Sequence, residues 1–184
     1  MTFAWTPHRF SGGSLALDVA NSVVLRDDPA RRIDRFADPA LIGAFAGGAN
    51  RHGAERDRFG RLEPVAADAR ENFLALREAI DRHFRAQARG DGSPALLADL
   101  LERVAETLRR SGDRPQALDT ATARSALSLV ALSEPDRLKI CPNCRWLFLD
   151  RSRNRSRAWC DMAVCGNRVK ASRHYRRRRK EIRP

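Results

Sequence analysis

The feature that most limits the fold of this chain is the placement of its cysteines. All four lie in the last quarter of 184 residues, at Cys141, Cys144, Cys160 and Cys165, in the spacing C-x2-C-x15-C-x4-C. In a secreted protein four cysteines would suggest two disulfides. Here the first ten residues lack the charged-then-apolar layout of a signal peptide, so a soluble intracellular chain is expected, and the spacing is that of a metal site. Zinc is the expected metal, with a redox pair or an iron–sulfur cluster as the alternatives. Cys141 and Cys144, two residues apart around a Pro-Asn pair, face one metal across a tight turn. Cys165 follows Cys160 by five residues, roughly 140° around a helix, so the two do not share a helical face. Cys160 is therefore expected to end a hairpin and Cys165 to sit in the first turn of the next helix. The helix N-terminus favours thiolate charge there. Strands are expected over 145–150 and 158–160, with the polar turn 151–157 between them. Knuckle, hairpin and helix together make a treble-clef arrangement. Four thiolates close the tetrahedron and leave no position for a substrate water, which predicts one structural Zn2+ rather than a catalytic one.

Charge concentrates in the same segment. The chain carries 35 Lys and Arg against 23 Asp and Glu, a net of +12. Residues 141–184 hold 12 Arg and two Lys against Asp150, Asp161 and Glu181, a net of +11, which leaves +1 for residues 1–140. A zinc–tetrathiolate site carries about −2 and leaves this end strongly basic. A polyanion partner accounts for such a concentration, whereas an acidic small molecule does not require it. On a helix after Cys165, Lys170, Arg173, Arg177 and Lys180 share one face, with Arg176 beside them, and such a face suits a major groove. Arg151, Arg153, Arg155 and Arg157 form a second candidate set of phosphate contacts. Asn167 and Arg168 either orient the metal shell or reach nucleic acid. A merely solvated face fits a mixed-sign helix better than this nearly single-signed one.

The front of the chain reads as helical. Hydrophobic residues make up 42% of the sequence, enough for a core. No apolar run approaches the ~18 residues of a membrane helix, so no membrane partner is expected. The Gly12–Gly13 pair leads through a short strand or turn into a helix. Asp38-Pro39 opens a second helix that should fade at Gly47-Gly48. The strongest signal runs over 63–89, where Ala69, Phe73, Leu76, Ile80 and Phe84 form one stripe. Ser93-Pro94 caps another helix, with Leu97, Leu101, Val104 and Leu108 inward. A last helix over 117–133 turns Leu127, Val130 and Ala131 inward and stops at Glu134-Pro135. The expected fold class is α+β: a mainly helical domain over 1–136, then a treble-clef finger over 137–184. Trp146 and Trp159 are expected to form the small core of the finger.

Three short segments carry a family resemblance. Phe148–Arg153 (FLDRSR), Arg157–Met162 (RAWCDM) and Cys165–Arg168 (CGNR) closely resemble the CGNR zinc finger. Gly12–Ser22 (GGSLALDVANS) is similar to the start of the ABATE domain that accompanies that finger. The resemblance implies a bacterial, stress-induced transcription regulator of the cytoplasm, nucleoid-associated, with a ligand-sensing front domain and a DNA-binding finger. Duplex DNA, a small polar ligand and a second copy of the chain are then the expected partners. RNA binding, or a zinc-stabilised protein-interaction module, are the alternatives.

For the ligand, Asp18, Asn21 and Arg77 offer an acceptor, an amide and a guanidinium. The alternative has Asp18 and Asn21 bracing the first helix and Arg77 in an ion pair. His174 competes poorly as a ligand because four cysteines suffice, and His8, His52 and His83 form no visible constellation. Without a Walker loop, G-x-S-x-G or H-E-x-x-H, no enzyme activity is expected. Loss of Cys144 or Cys165 is expected to unfold 139–184 and to spare the helical front.

Overall fold

The apolar stripe read from the sequence becomes the spine of the fold. A computed structural model describes residues 3–132 and 134–172. In it Phe73, Leu76, Ile80 and Phe84 are all buried along a 20-residue helix. We number the helices α1 (Leu15–Ala20), α2 (Pro39–His52), α3 (Arg70–Arg89, the spine), α4 (Pro94–Ser111) and α5 (Leu118–Val130). Two antiparallel strand pairs accompany them: β1 (Val23–Val24) with β2 (Ile33–Asp34), and β3 (Leu138–Ile140) with β4 (Leu147–Leu149). The mainly helical front followed by a small β-hairpin region gives the expected α+β class. No helix among the described residues is long and apolar enough to cross a membrane.

Local chemistry sets the helix starts. The side chains of Ser14, Asp38 and Ser93 accept the N–H groups of Leu17, Ala40 and Leu96 and so cap α1, α2 and α4. Pro39 and Pro94 occupy first-turn positions where a missing N–H costs nothing.

Four expectations change. Helix α2 runs through Gly47-Gly48 to His52. Gly48 is there for close approach, since a Cβ would stand 2.6 Å from Phe10 Cζ and 2.9 Å from Trp5 Cβ. Helix α3 begins at Arg70 rather than at 63. Glu63 instead bridges to Ala117, donating its N–H to the Gln116 carbonyl and accepting the Leu118 N–H, so a tertiary pairing overrides helix extension. The inward face of α4 is Leu100, Val104, Thr107 and Ser111, leaving Leu101 40% exposed. Helix α5 buries Leu118, Thr122, Ser125 and Leu129, whereas Leu127 is exposed. Small residues let α5 lie close to α1, and the side-chain hydroxyl of Thr122 returns to the Leu118 carbonyl.

Two buried clusters organise the front. Trp5, Phe10, Phe36, Phe45 and Phe73 lie in one, with Trp5 and Phe45 rings edge to face at 4.9 Å. The other joins Leu17, Leu76, Ile80, Leu100 and Ala126 to Leu138, Leu147 and Leu149. The β3–β4 hairpin thus closes the helical core. Strand β4 is also bound by polar contacts. Asn21 donates its side-chain amide to the Leu147 carbonyl at 2.8 Å and accepts the Leu147 N–H at 2.9 Å. The Leu149 N–H donates to the Gly12 carbonyl at 2.8 Å. Gly13 takes φ +84° in contact with Leu149, a conformation that favours glycine.

Asn21→Ala leaves a buried N–H and C=O of β4 unpaired, and is expected to cost about 2–4 kcal/mol. Urea unfolding followed by circular dichroism checks this through a lowered midpoint.

Candidate metal centre and nucleic-acid interface

The knuckle is built from short-range hydrogen bonds. Cys141 donates its N–H to the Trp146 carbonyl at 2.8 Å, and the Arg145 N–H donates to the Cys141 carbonyl at 2.9 Å. Arg145 takes φ +64° to close the turn. Its carbonyl accepts Arg85 Nη1 at 2.9 Å, which ties the knuckle to α3. Arg85 is itself held by the buried Asp81, whose carboxylate takes both Nε and Nη2.

The four sulfurs converge. All four Sγ atoms lie within 4.8 Å of one another, with Cys144 to Cys160 at 3.5 Å and Cys160 to Cys165 at 3.6 Å. A tetrahedral Zn–S length near 2.3 Å requires S···S separations of about 3.8 Å, so the residues fit one zinc ion. Cys141, Cys160 and Cys165 are fully buried among Trp146 and Phe148. Contact with Cys141 and burial push the thiols of Cys144 and Cys160 up, the crowding that a dication relieves. With four thiolates and no fifth donor among the described residues, this is a structural site whose metal holds the finger together.

The strand expected over 145–150 forms as β4, but its partner is β3, on the other side of the knuckle. Residues 158–160 form no strand. The 150–157 turn is organised instead by Asp150. Its carboxylate accepts Lys139 Nζ at 2.7 Å, the Ser152 hydroxyl at 2.6 Å and N–H at 2.9 Å, and the Arg157 N–H at 2.9 Å. Burial opposes the ionised form, but these donors outweigh it and hold the Asp150 carboxyl well below the usual range. Cys165 does sit in the first turn of a helix. Met162–Gly166 is a π-helical turn capped by Asp161, which accepts the N–H groups of Ala163 and Val164, and the helix continues over 167–172.

Residues 13–135 match the family described as ABATE, putative stress-induced transcription regulator. The chain belongs to the ABATE family. Its following segment, 137–178, matches the CGNR zinc finger. No curated protein matches the chain.

The ABATE signature has a different use from the one expected. Asp18 accepts the Gly12 N–H at 2.8 Å and closes the turn ahead of α1. Burial pushes its carboxyl well above the usual range. Asn21 is spent on Leu147. Arg77 holds Asp34 bidentately at 2.7 and 2.8 Å and lies 2.7 Å from Glu78. Asp18, Asn21 and Arg77 do not bond to one another, and none lines the cavities that open beside Gln87 and Lys139, Arg51 and Arg61, or Asn72 and Arg103. Each of the three is engaged in bracing: Asp18 and Arg77 within the front, on Gly12 and Asp34, and Asn21 on the β4 strand of the finger hairpin.

The basic candidates divide as well. Arg153 and Lys170 are exposed. Arg151, also exposed, donates to the Gly13 carbonyl at 2.7 Å. Arg155 pairs with Glu134 and Asp136. Arg157 stacks 5.2 Å from the Phe148 ring and donates to the Trp159 carbonyl, so it serves the finger's interior. Arg173, Arg176, Arg177 and Lys180, with His174, lie outside the described residues.

One residue at the metal centre escaped the sequence reading. His8 comes from a 3-10 turn over Pro7–Phe10, stacks on Trp146 at 5.1 Å, and bridges Asp161 at 3.0 Å and Cys165 Sγ at 3.9 Å. Such an outer contact orients a ligand sulfur. Nothing in the spacing signals it, since 157 residues separate the pair.

Because β3 and β4 belong to the helical core, losing the metal is expected to reach beyond the finger, unlike the sparing of the front read from sequence. Cys144→Ser is expected to lower the melting temperature of the whole chain in one transition, checked by scanning calorimetry. A separate test concerns acid. Asp150 contributes stability above the ordinary carboxylate pKa of about 3.9, and loses it as pH falls through its depressed folded value. Asp150→Asn is expected to lower the urea midpoint at neutral pH and to flatten its fall on the acid side.

Proposed function

We propose that this ABATE protein is a DNA-binding transcriptional regulator of the bacterial cytoplasm, nucleoid-associated, and not an enzyme. The observation that carries the reading is the +11 of residues 141–184, mounted on a finger whose metal is structural. In this reading residues 1–136 form the regulatory domain and 137–184 a treble-clef finger. Arg151, Arg153, Arg168 and Lys170 are the described residues offered to duplex phosphates, and Arg173, Arg176, Arg177 and Lys180 continue the same basic run in sequence. Arg155, neutralised by two carboxylates, contributes least. Sensing of a small polar ligand by the front domain, and action as a homodimer on two half-sites, belong to the same reading.

Binding through Z phosphates makes log K fall with log salt at a slope of about −0.9Z. Arg153→Ala is expected to reduce that slope by about one unit and to weaken binding evenly across sequences. Fluorescence anisotropy of zinc-loaded protein with a labelled duplex over a salt series measures both. Binding that is absent, or insensitive to salt, overturns the reading. Preference for structured RNA in a competition assay would favour the RNA alternative. Partner capture unaffected by the arginine substitutions would favour a protein-interaction module.

A further inference from the structure

Arg9 and Arg35 meet over the Phe3 ring at the seam between the front helices and the finger, and Arg168, just after the last zinc ligand, is near enough for its charge to act on Arg9. Phe3 organises two of them: the Arg35 guanidinium lies 4.3 Å from its ring centroid and that of Arg9 5.3 Å. Arg9 also lies 5.4 Å from the ring of Trp146, which packs among the zinc cysteines. Arg168 follows Cys165 by about one helical turn, and His8, the neighbour of Arg9, lies against Cys165. Burial, then the charges of Arg35 and Arg168, push Arg9 below its ordinary pKa, with Cys144 acting the other way.

The cluster lacks a counter-charge among the described residues. Arg26, Arg77, Arg85 and Arg155 each hold a carboxylate. Among the described residues no carboxylate lies within ion-pair distance of Arg9, Arg35 or Arg168, and Arg35 Nε is buried without a hydrogen-bond partner. The zinc–tetrathiolate, at about −2, offsets only part of three positive charges, and Arg35 stacks on Phe3 rather than on the sulfurs. Ring stacking holds the Arg9 and Arg35 guanidiniums in place before any ligand arrives. Like charges fixed side by side are costly until an anion bridges them, and guanidiniums match a phosphate in geometry as well as charge.

We propose that Arg9, Arg35 and Arg168 form a phosphate-binding site across the seam, and that it takes a backbone phosphodiester of the duplex held by the finger. The inference rests on the DNA-binding reading above and adds to it a contact from the front domain, which the near-neutral net of +1 over residues 1–140 conceals. The duplex would touch both parts of the chain, so a shift of the front against the finger would alter affinity directly.

The test uses full-length zinc-loaded protein, with zinc stoichiometry and melting temperature checked for each variant. Arg35→Gln is expected to weaken duplex binding about three- to tenfold at moderate salt and to make the salt slope shallower by about one unit. Arg35→Lys is expected to restore the slope, and Arg9→Gln supplies a second reading if Arg35→Gln disturbs the Phe3 packing. Wild-type binding with unchanged affinity and slope in Arg35→Gln and Arg9→Gln overturns this site and leaves the DNA-binding reading standing. A wild type that binds no duplex overturns that reading and the phosphodiester source together. Pyrophosphate titrated by calorimetry separates the last case: heat that depends on Arg35 keeps a site for free phosphate, and no heat removes the site altogether.

Discussion

The pairing of the Asn21 side chain with the Leu147 backbone is the contact on which the two parts of this protein depend. A carboxamide reproduces the donor and acceptor of a neighbouring strand, so α1 acts as an edge partner for β4 without being a strand. The Gly12 carbonyl extends the pairing by one bond to Leu149. Both requirements explain the glycines ahead of α1. A Cβ on Gly12 would stand 2.7 Å from Asp18 Oδ1 and 3.2 Å from Asn21 Nδ2, displacing the side chains that make the socket.

Strand β4 is the wall that both parts share. Alternate residues of a strand face opposite sides. Leu147 and Leu149 enter the helical core with Leu76, Ile80 and Leu138, while Trp146 and Phe148 enter the cluster of cysteines. A strand with both faces buried cannot slip by one residue without exchanging the two environments. The register that pairs Ile140 with Leu147 therefore fixes the knuckle between them, and with it Cys141 and Cys144. Metal and helical core stabilise one hairpin from opposite sides. A finger too small to bury a core of its own borrows one from the front.

Much of this was legible in the sequence where a pattern has one cause. The cysteine spacing led to the convergent sulfurs, and the stripe from Phe73 to Phe84 led to α3, because metal geometry and helical period leave few alternatives. The capping residues Asp38 and Ser93 behave as their types require. What was not legible depends on distant partners. Gly48 looks like a helix end until Phe10 and Trp5 are placed over it. Leu127 looks like core until the small residues of α5 turn toward α1. Asp18, Asn21 and Arg77 read as a ligand site because polar groups near a signature suggest one, and only the fold shows Asn21 spent on the docked hairpin and Asp18 and Arg77 on Gly12 and Asp34. His8 is the extreme case, a histidine from the seventh to tenth residues seated on the last ligand.

The near-neutral balance of the front also hides an uneven distribution. Burying a charge is tolerable when it is paired and hydrogen-bonded. Helix α3 meets that requirement by drawing Asp34, Glu78 and Asp81 onto Arg26, Arg77 and Arg85, in contacts of 2.5 to 3.2 Å. Asp27, near the knuckle, is shared between Arg89 and Arg145. Carboxylates committed to these positions are unavailable at the seam, where Arg9 and Arg35 stack on aromatic rings instead. The net of +1 over residues 1–140 is thus the sum of a paired interior and an unpaired edge, and the unpaired edge lies on the side that carries the finger.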